Sequence, residues 1–289
     1  MSTKLSQSLK ALINAPLARP GQTPAPPRIK ELYQQIAREA RERQYGVRPW
    51  LALSAAATFT LNSPASLPSL LQTASSSPSP LTPLEVAEFI REVGLKCISF
   101  NGIPRTINSL AAFRAALDPA LVSQLETRPS RALTPSNLPA AQARGRALWE
   151  SVYRPLDDKL EARLAESHPD LPVYILESHY GPLLSDPPAG GRGGLGTVGR
   201  TLTSVVAVAC LRAQTGVGPQ VLSHVFGLRK GVEQGAHGEE LEGIEGERAG
   251  MERVAGDEGC EWLLKSVDRI TEAIGGGFAG QGSGRESKL

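Results

Sequence analysis

The chain has 289 residues, 40% of them apolar and 21% charged, with 31 Lys and Arg against 29 Asp and Glu. That is a globular composition, and a net charge of +2 excludes a strong nucleic-acid field or a polybasic membrane binder as its basis. Its 29 Gly and 23 Pro exceed the usual combined share of about 12%, so part of the chain must be irregular.

Residues 1–28 read as an N-terminal extension that carries Lys4 and Lys10 but no apolar run of signal-peptide length. Ile29, Leu32, Tyr33, Ile36, Ala37 and Ala40 then recur at helical spacing, with Lys30, Arg38, Glu39 and Arg41 on other faces. An Ala-rich, largely buried helix is expected over residues 50–61, and a short one over 66–73. Thr82-Pro83-Leu84-Glu85 is the clearest helix start in the chain: a capping threonine, a proline at the first position and a glutamate three residues after the cap. The stripe Val86, Phe89, Ile90, Val93, Cys97 and Ile98 follows, until Asn101-Gly102-Ile103-Pro104 breaks it. A further helix carries Ile107, Leu110, Ala111 and Leu117.

Residues 128–143 are rich in Pro, Ser and Ala and read as a linker. Helices are expected to resume over 143–153, 159–166 and 173–184, before the Gly/Pro-rich loop of residues 185–194. Residues 201–212 are apolar nearly all round, which predicts a central buried helix. Residues 219–230 make another. The acidic, Gly-rich stretch 235–259 reads as solvent-facing and poorly packed. Trp262, Leu263, Val267, Ile270 and Ile274 mark a last amphipathic helix, and 276–289 form a flexible tail. Apolar periods of three and four dominate and β alternation is nearly absent, so the fold class is all-α.

No run approaches the length of a membrane helix, so no membrane insertion is expected. Cys97, Cys210 and Cys260 form no Cys-x-x-Cys pair and fit a reducing compartment. Four histidines without a ligand-spaced cluster argue against a metal, and no cofactor motif survives inspection. The string Gly194-Leu195-Gly196-Thr197-Val198-Gly199 satisfies G-x-G-x-x-G but follows no strand, so it is rejected as a nucleotide site. Ser287-Lys288-Leu289, behind a Gly-rich stretch, matches the peroxisomal address read by the import receptor. The expected location is the peroxisome matrix and the expected partner that receptor.

Two stretches resemble the carboxymuconolactone decarboxylase family, which includes the alkylhydroperoxidase D-like proteins. Residues 144–149 with 171–184 are similar to the family's opening helices. Residues 200–203 through 220–228 are similar to its buried helix and the next one, with Ser223-His224 on the inner face. A third stretch, 91–108, resembles the family's closing unit. Because it precedes the other two, the resemblance implies a helical bundle of two diverged repeats, residues 29–127 and 144–275. It also implies homo-oligomers. The peroxidase branch carries a Cys-x-x-Cys pair, a histidine four residues on and a glutamate opening the buried helix. Here Val217, Gln220 and Thr201 stand at those places, so a disulfide peroxidase mechanism is disfavoured.

The candidate catalytic residue is His224, the one family-matched titratable group. Arg200 could anchor a substrate carboxylate, and His179 and Cys97 could line the same site. Each has a plainer reading as a hydrogen-bonded or packed core residue. The leading expectation is a non-redox acid/base enzyme, of decarboxylase or isomerase type, acting on a small carboxylate or acyl metabolite. The alternatives are a catalytically degenerate binding or assembly protein of the peroxisome and an alkylhydroperoxidase-type antioxidant.

Overall fold

The computed structural model describes residues 4–76, 78–187, 196–241 and 246–275; among them there are helices and turns and no strand, as the all-α reading requires. The principal helices are α1 (Ile29–Glu42), α2 (Arg48–Thr60), α3 (Leu67–Ser75), α4 (Pro83–Lys96), α5 (Ile103–Ala115), α6 (Leu138–Tyr153) and α7 (Asp157–Ser167). A π-helix (Ile175–Leu184) follows, then α8 (Gly199–Gln214), α9 (Gly218–Glu233), α10 (Glu247–Val254) and α11 (Asp257–Ile274). The tail residues 276–289, with Ser287-Lys288-Leu289, and half of the loop before α8 lie outside the described residues.

Two helices buried on every side set the architecture. In α2 every residue from Pro49 to Thr60 is buried, and in α8 every residue but Arg200, Arg212 and Gln214. Helices with so little polar surface must be enclosed, and these two pack on each other at the centre. Both are rich in short buried side chains, among them Ala52, Ala56, Ala209 and Ala213, and Cys210 Sγ of α8 lies 3.9 Å from the Ala56 carbonyl of α2. α9 and α11 cover α8, and α11 also reaches α2. α1 adds the stripe Ile29, Tyr33, Ile36 and Ala40, and the Tyr33 hydroxyl meets Thr58 Oγ1 at 2.6 Å. One apolar cluster thus draws on residues from Ile29 to Leu125 and from Val198 to Ile274. A second, smaller one joins Trp149, Leu176, Tyr180 and Leu184.

Local signals explain the ends. The Thr82 capping box forms in full: Glu85 N–H donates to Thr82 Oγ1 at 3.3 Å, and Thr82 N–H donates to Glu85 Oε2 at 2.7 Å. Gly102, at φ +77°, ends the short turn after Cys97 in a conformation that suits only glycine.

Three features depart from the sequence expectation. α6 begins at Leu138, with Pro139 in its first turn, so the helix reaches back into the segment read as linker. Residues 173–184 are not one α-helix; the coil widens into a π-helix from Ile175, with Pro182 inside it. A proline has no N–H to return to the preceding turn, and the wider coil also seats Gly181 against Gly145 of α6. The described part of 235–259 is not poorly packed throughout. Glu247, Met251 and Val254, at spacings of four and three, form the buried face of α10, and Gly250 lies so close to Tyr45 that an added Cβ would be 2.7 Å from its carbonyl oxygen. Those anchors are few, and the surrounding glycines and acids hide them from a composition reading.

Candidate functional site

His224 and Arg200 come together, because α9 crosses the first turn of α8. The His224 ring lies edge-on to Phe100 and Tyr153, with ring centres 6.0 Å and 6.2 Å away. Tyr180 donates its hydroxyl to Tyr153 Oη at 3.2 Å, and Trp149 stacks against both tyrosines. Burial, with the Arg200 charge second, pushes the His224 pKa down to about 4, so the imidazole is neutral at physiological pH. Its Nδ1 is buried and makes no hydrogen bond among the described residues. Burial also pushes both tyrosine hydroxyls up.

Arg200 is spent on the protein itself. Its Nη2 donates to the carbonyls of Gly227 at 2.8 Å and Ser151 at 3.1 Å, Nη1 to Ser204 Oγ at 2.7 Å, and Nε to Ser151 Oγ. Gly227 and Gly231 on α9 leave room for this guanidinium: a Cβ at Gly231 would lie 3.4 Å from Arg200 Cζ. The cavity bounded by His224, Arg200, Phe100, Tyr180 and Ser204 measures about 10 Å³, which admits one water molecule and no metabolite.

The other two candidates stand apart from that cavity. His179 pairs its Nδ1 with Ser99 Oγ at 2.9 Å and lies against Tyr174, half-buried, with its pKa lowered by burial. Cys97 is fully buried and touches Cys210, the two Sγ atoms being 3.5 Å apart. Burial first, and the neighbouring thiol second, push the Cys97 thiol well above its ordinary range. Among the described residues no group of three or more His, Cys, Asp or Glu gathers as a metal site, and no helix is long and apolar enough to cross a membrane.

Sequence reasoning missed two arrangements. One is an ion-pair cluster between α4 and the start of α8: fully buried Lys96 pairs with Asp186 at 2.9 Å, and Arg131 pairs with buried Glu92 and approaches Asp186 at 3.9 Å. Asp186 Oδ2 also accepts from Gly199 N–H at 2.6 Å, capping α8. The other is a cleft of about 760 Å³ between α1, residues 72–76 and 78–80, and α10. The only sequence signal for it is the recurrence of Lys30, Gln34, Arg38 and Arg41 along one face of α1.

No family model, curated protein or solved structure matches this chain.

Proposed function

We propose that the protein is a helical binding protein of the peroxisome, in which the histidine of the candidate site serves the core rather than catalysis. The observation that carries this reading is the packing at His224: a cavity of about 10 Å³ beside it, and an arginine whose donors are engaged by Ser151, Ser204 and Gly227. A substrate carboxylate would have to displace those protein acceptors, at a cost of about 1.5–3 kcal/mol for each charge-assisted hydrogen bond broken. A base held near pKa 4 is also poorly matched to proton abstraction at neutral pH. Descent from two diverged repeats is supported by the pairing of α2 with α8, each the all-round buried helix of its half. Ser287-Lys288-Leu289 supports import through the peroxisomal receptor.

The test is turnover. Wild-type protein and His224→Leu are assayed against a panel of 2-oxo acids, 3-oxo acids, unsaturated lactones and acyl thioesters. Equal background rates are expected. Any turnover lost in His224→Leu, with the variant folded by circular dichroism, overturns the reading in favour of an acid/base enzyme whose neutral imidazole takes the proton.

A further inference from the structure

The cleft between α1 and α10 has the size of a small-molecule site and a lining that is unbalanced in charge. Its volume of about 760 Å³ falls within the range of ligand pockets. Lys30, Arg38 and Arg41 line it from α1 and Arg253 from α10, against a single carboxylate among the described lining residues, Glu247. That carboxylate is already engaged: Glu247 is buried, and its oxygens accept from the backbone N–H groups of Val47 and Arg48 at the start of α2. Arg253 gives Nη1 to the Gln44 carbonyl at 3.2 Å. Lys30, Arg38 and Arg41 make no ion pair with a carboxylate among the described residues. Among the described lining residues cations are therefore in excess, and concave walls concentrate the field of such a set.

The rest of the lining is partly of the opposite character. Ala37, Val47, Trp50 and Ala74 contribute apolar surface, as do Pro78 and Pro80. A nucleic-acid backbone would need phosphate contacts over an extended, convex-accessible stripe, whereas these cations line a single concavity that also holds apolar surface. A mineral anion would use the cations and leave that apolar surface wet.

We propose that this cleft binds an organic anion that joins a carboxylate or phosphate head to an apolar body, the head pairing with Arg38, Arg41 and Lys30 and the body lying on Val47 and Trp50. The proposal rests on the reading of the chain as a binding protein and names the ligand class and the site. Arginine suits the head because its planar fork can take two oxygens of a carboxylate or phosphate at once.

The experiment is calorimetric titration of the full chain with octanoate, octyl phosphate, octanol and inorganic phosphate, at low and at high salt. Wild-type protein is expected to bind at least one of the two charged amphiphiles, more weakly at high salt, and to bind octanol and inorganic phosphate at least about tenfold less tightly. Arg38→Glu/Arg41→Glu alters two exposed positions, so its melting temperature should stay near wild type while affinity falls at least about tenfold. Unchanged affinity in that folded variant overturns the assignment, as does failure of both charged amphiphiles to bind, or binding of inorganic phosphate as tight as that of octyl phosphate. His224→Leu separates this result from the broader reading. Binding lost there and kept in Arg38→Glu/Arg41→Glu moves the ligand to the interior and overturns the cleft alone; His224-dependent turnover with no amphiphile bound overturns both.

Discussion

Lys96 Nζ lies 2.9 Å from Asp186 Oδ1, with the lysine side chain wholly removed from solvent. The same ammonium donates to the Leu184 carbonyl at 2.6 Å and to Thr203 Oγ1 at 2.9 Å, so the buried charge has a carboxylate and two hydrogen-bond acceptors beside it. A charge buried this deeply is tolerated only with such partners, and removing one strands the other. Asp186→Ala should destabilise the protein by about 3 kcal/mol, since it leaves Lys96 unpaired and uncaps α8. Lys96→Met/Asp186→Ala should recover part of that loss. Denaturant unfolding of both variants measures the difference; equal instability would mean that the pair itself contributes nothing.

The neutral state of His224 has a consequence for acid stability. In the unfolded chain this histidine takes a proton near pH 6.5, whereas in the folded protein it does so only near pH 4. Between those values the unfolded state binds more protons, so stability falls as the pH drops through that window. The full effect is about 3 kcal/mol. His224→Leu should flatten the stability curve between pH 6.5 and 4 in urea titrations, whatever its effect at pH 8.

Gly145 and Gly181 mark where α6 and the π-helix touch through their backbones. A Cβ on Gly145 would lie 2.5 Å from Gly181 Cα, and backbone cannot turn aside. Gly94 is also tight, but its Cβ would meet the Phe59 ring, 2.5 Å from Cε1, which is a side chain. Both Gly→Ala changes should lower stability, by about 1–3 kcal/mol or more, with Gly145→Ala the costlier. Thermal melts of the two variants rank them directly.

Much of this arrangement could be read before any coordinates. The Ala-rich segment around Ala56 and the nearly all-round apolar one around Val206 mark two buried helices, α2 and α8, though not their pairing, and the Thr82 capping box marks the start of α4. Helices declare themselves through short-range periodicity, and caps through neighbours three residues apart. The ion-pair cluster could not be read in that way, because Lys96 and Asp186 are 90 positions apart and periodicity marks a charged residue as surface. The cleft was hidden for the same reason: Lys30, Arg38 and Arg41 look like a solvated face until residues 72–76, 78–80 and α10 complete the lining. His224 and Arg200 lie at one place in the fold, but no sequence pattern shows that Ser151 and Gly227 engage the guanidinium.

The Cys97 and Cys210 thiols touch but are sealed from solvent. Reaction with a bulky aromatic disulfide needs an approach path, and two wholly buried thiols offer none in the folded state. Both thiols should be unreactive in native protein and react promptly in denaturant. Rapid labelling of either one under native conditions would show that α4 and α8 separate on that timescale.

Removing Leu289 from a fluorescent fusion should leave it cytosolic. Microscopy in cells lacking the intact protein gives the answer, since co-import with unmodified copies is then impossible. Continued punctate fluorescence would refute the import signal.

Neither half of the chain owns its interior. The faces of α2 and α8 are complementary pieces of one apolar cluster, separated by well over a hundred positions in the sequence. A nascent chain that has delivered α2 must therefore hold a helix without a polar side until α8 arrives. During synthesis that helix is the segment most in need of a chaperone, and a premature stop after α5 would yield a product with its stickiest surface open.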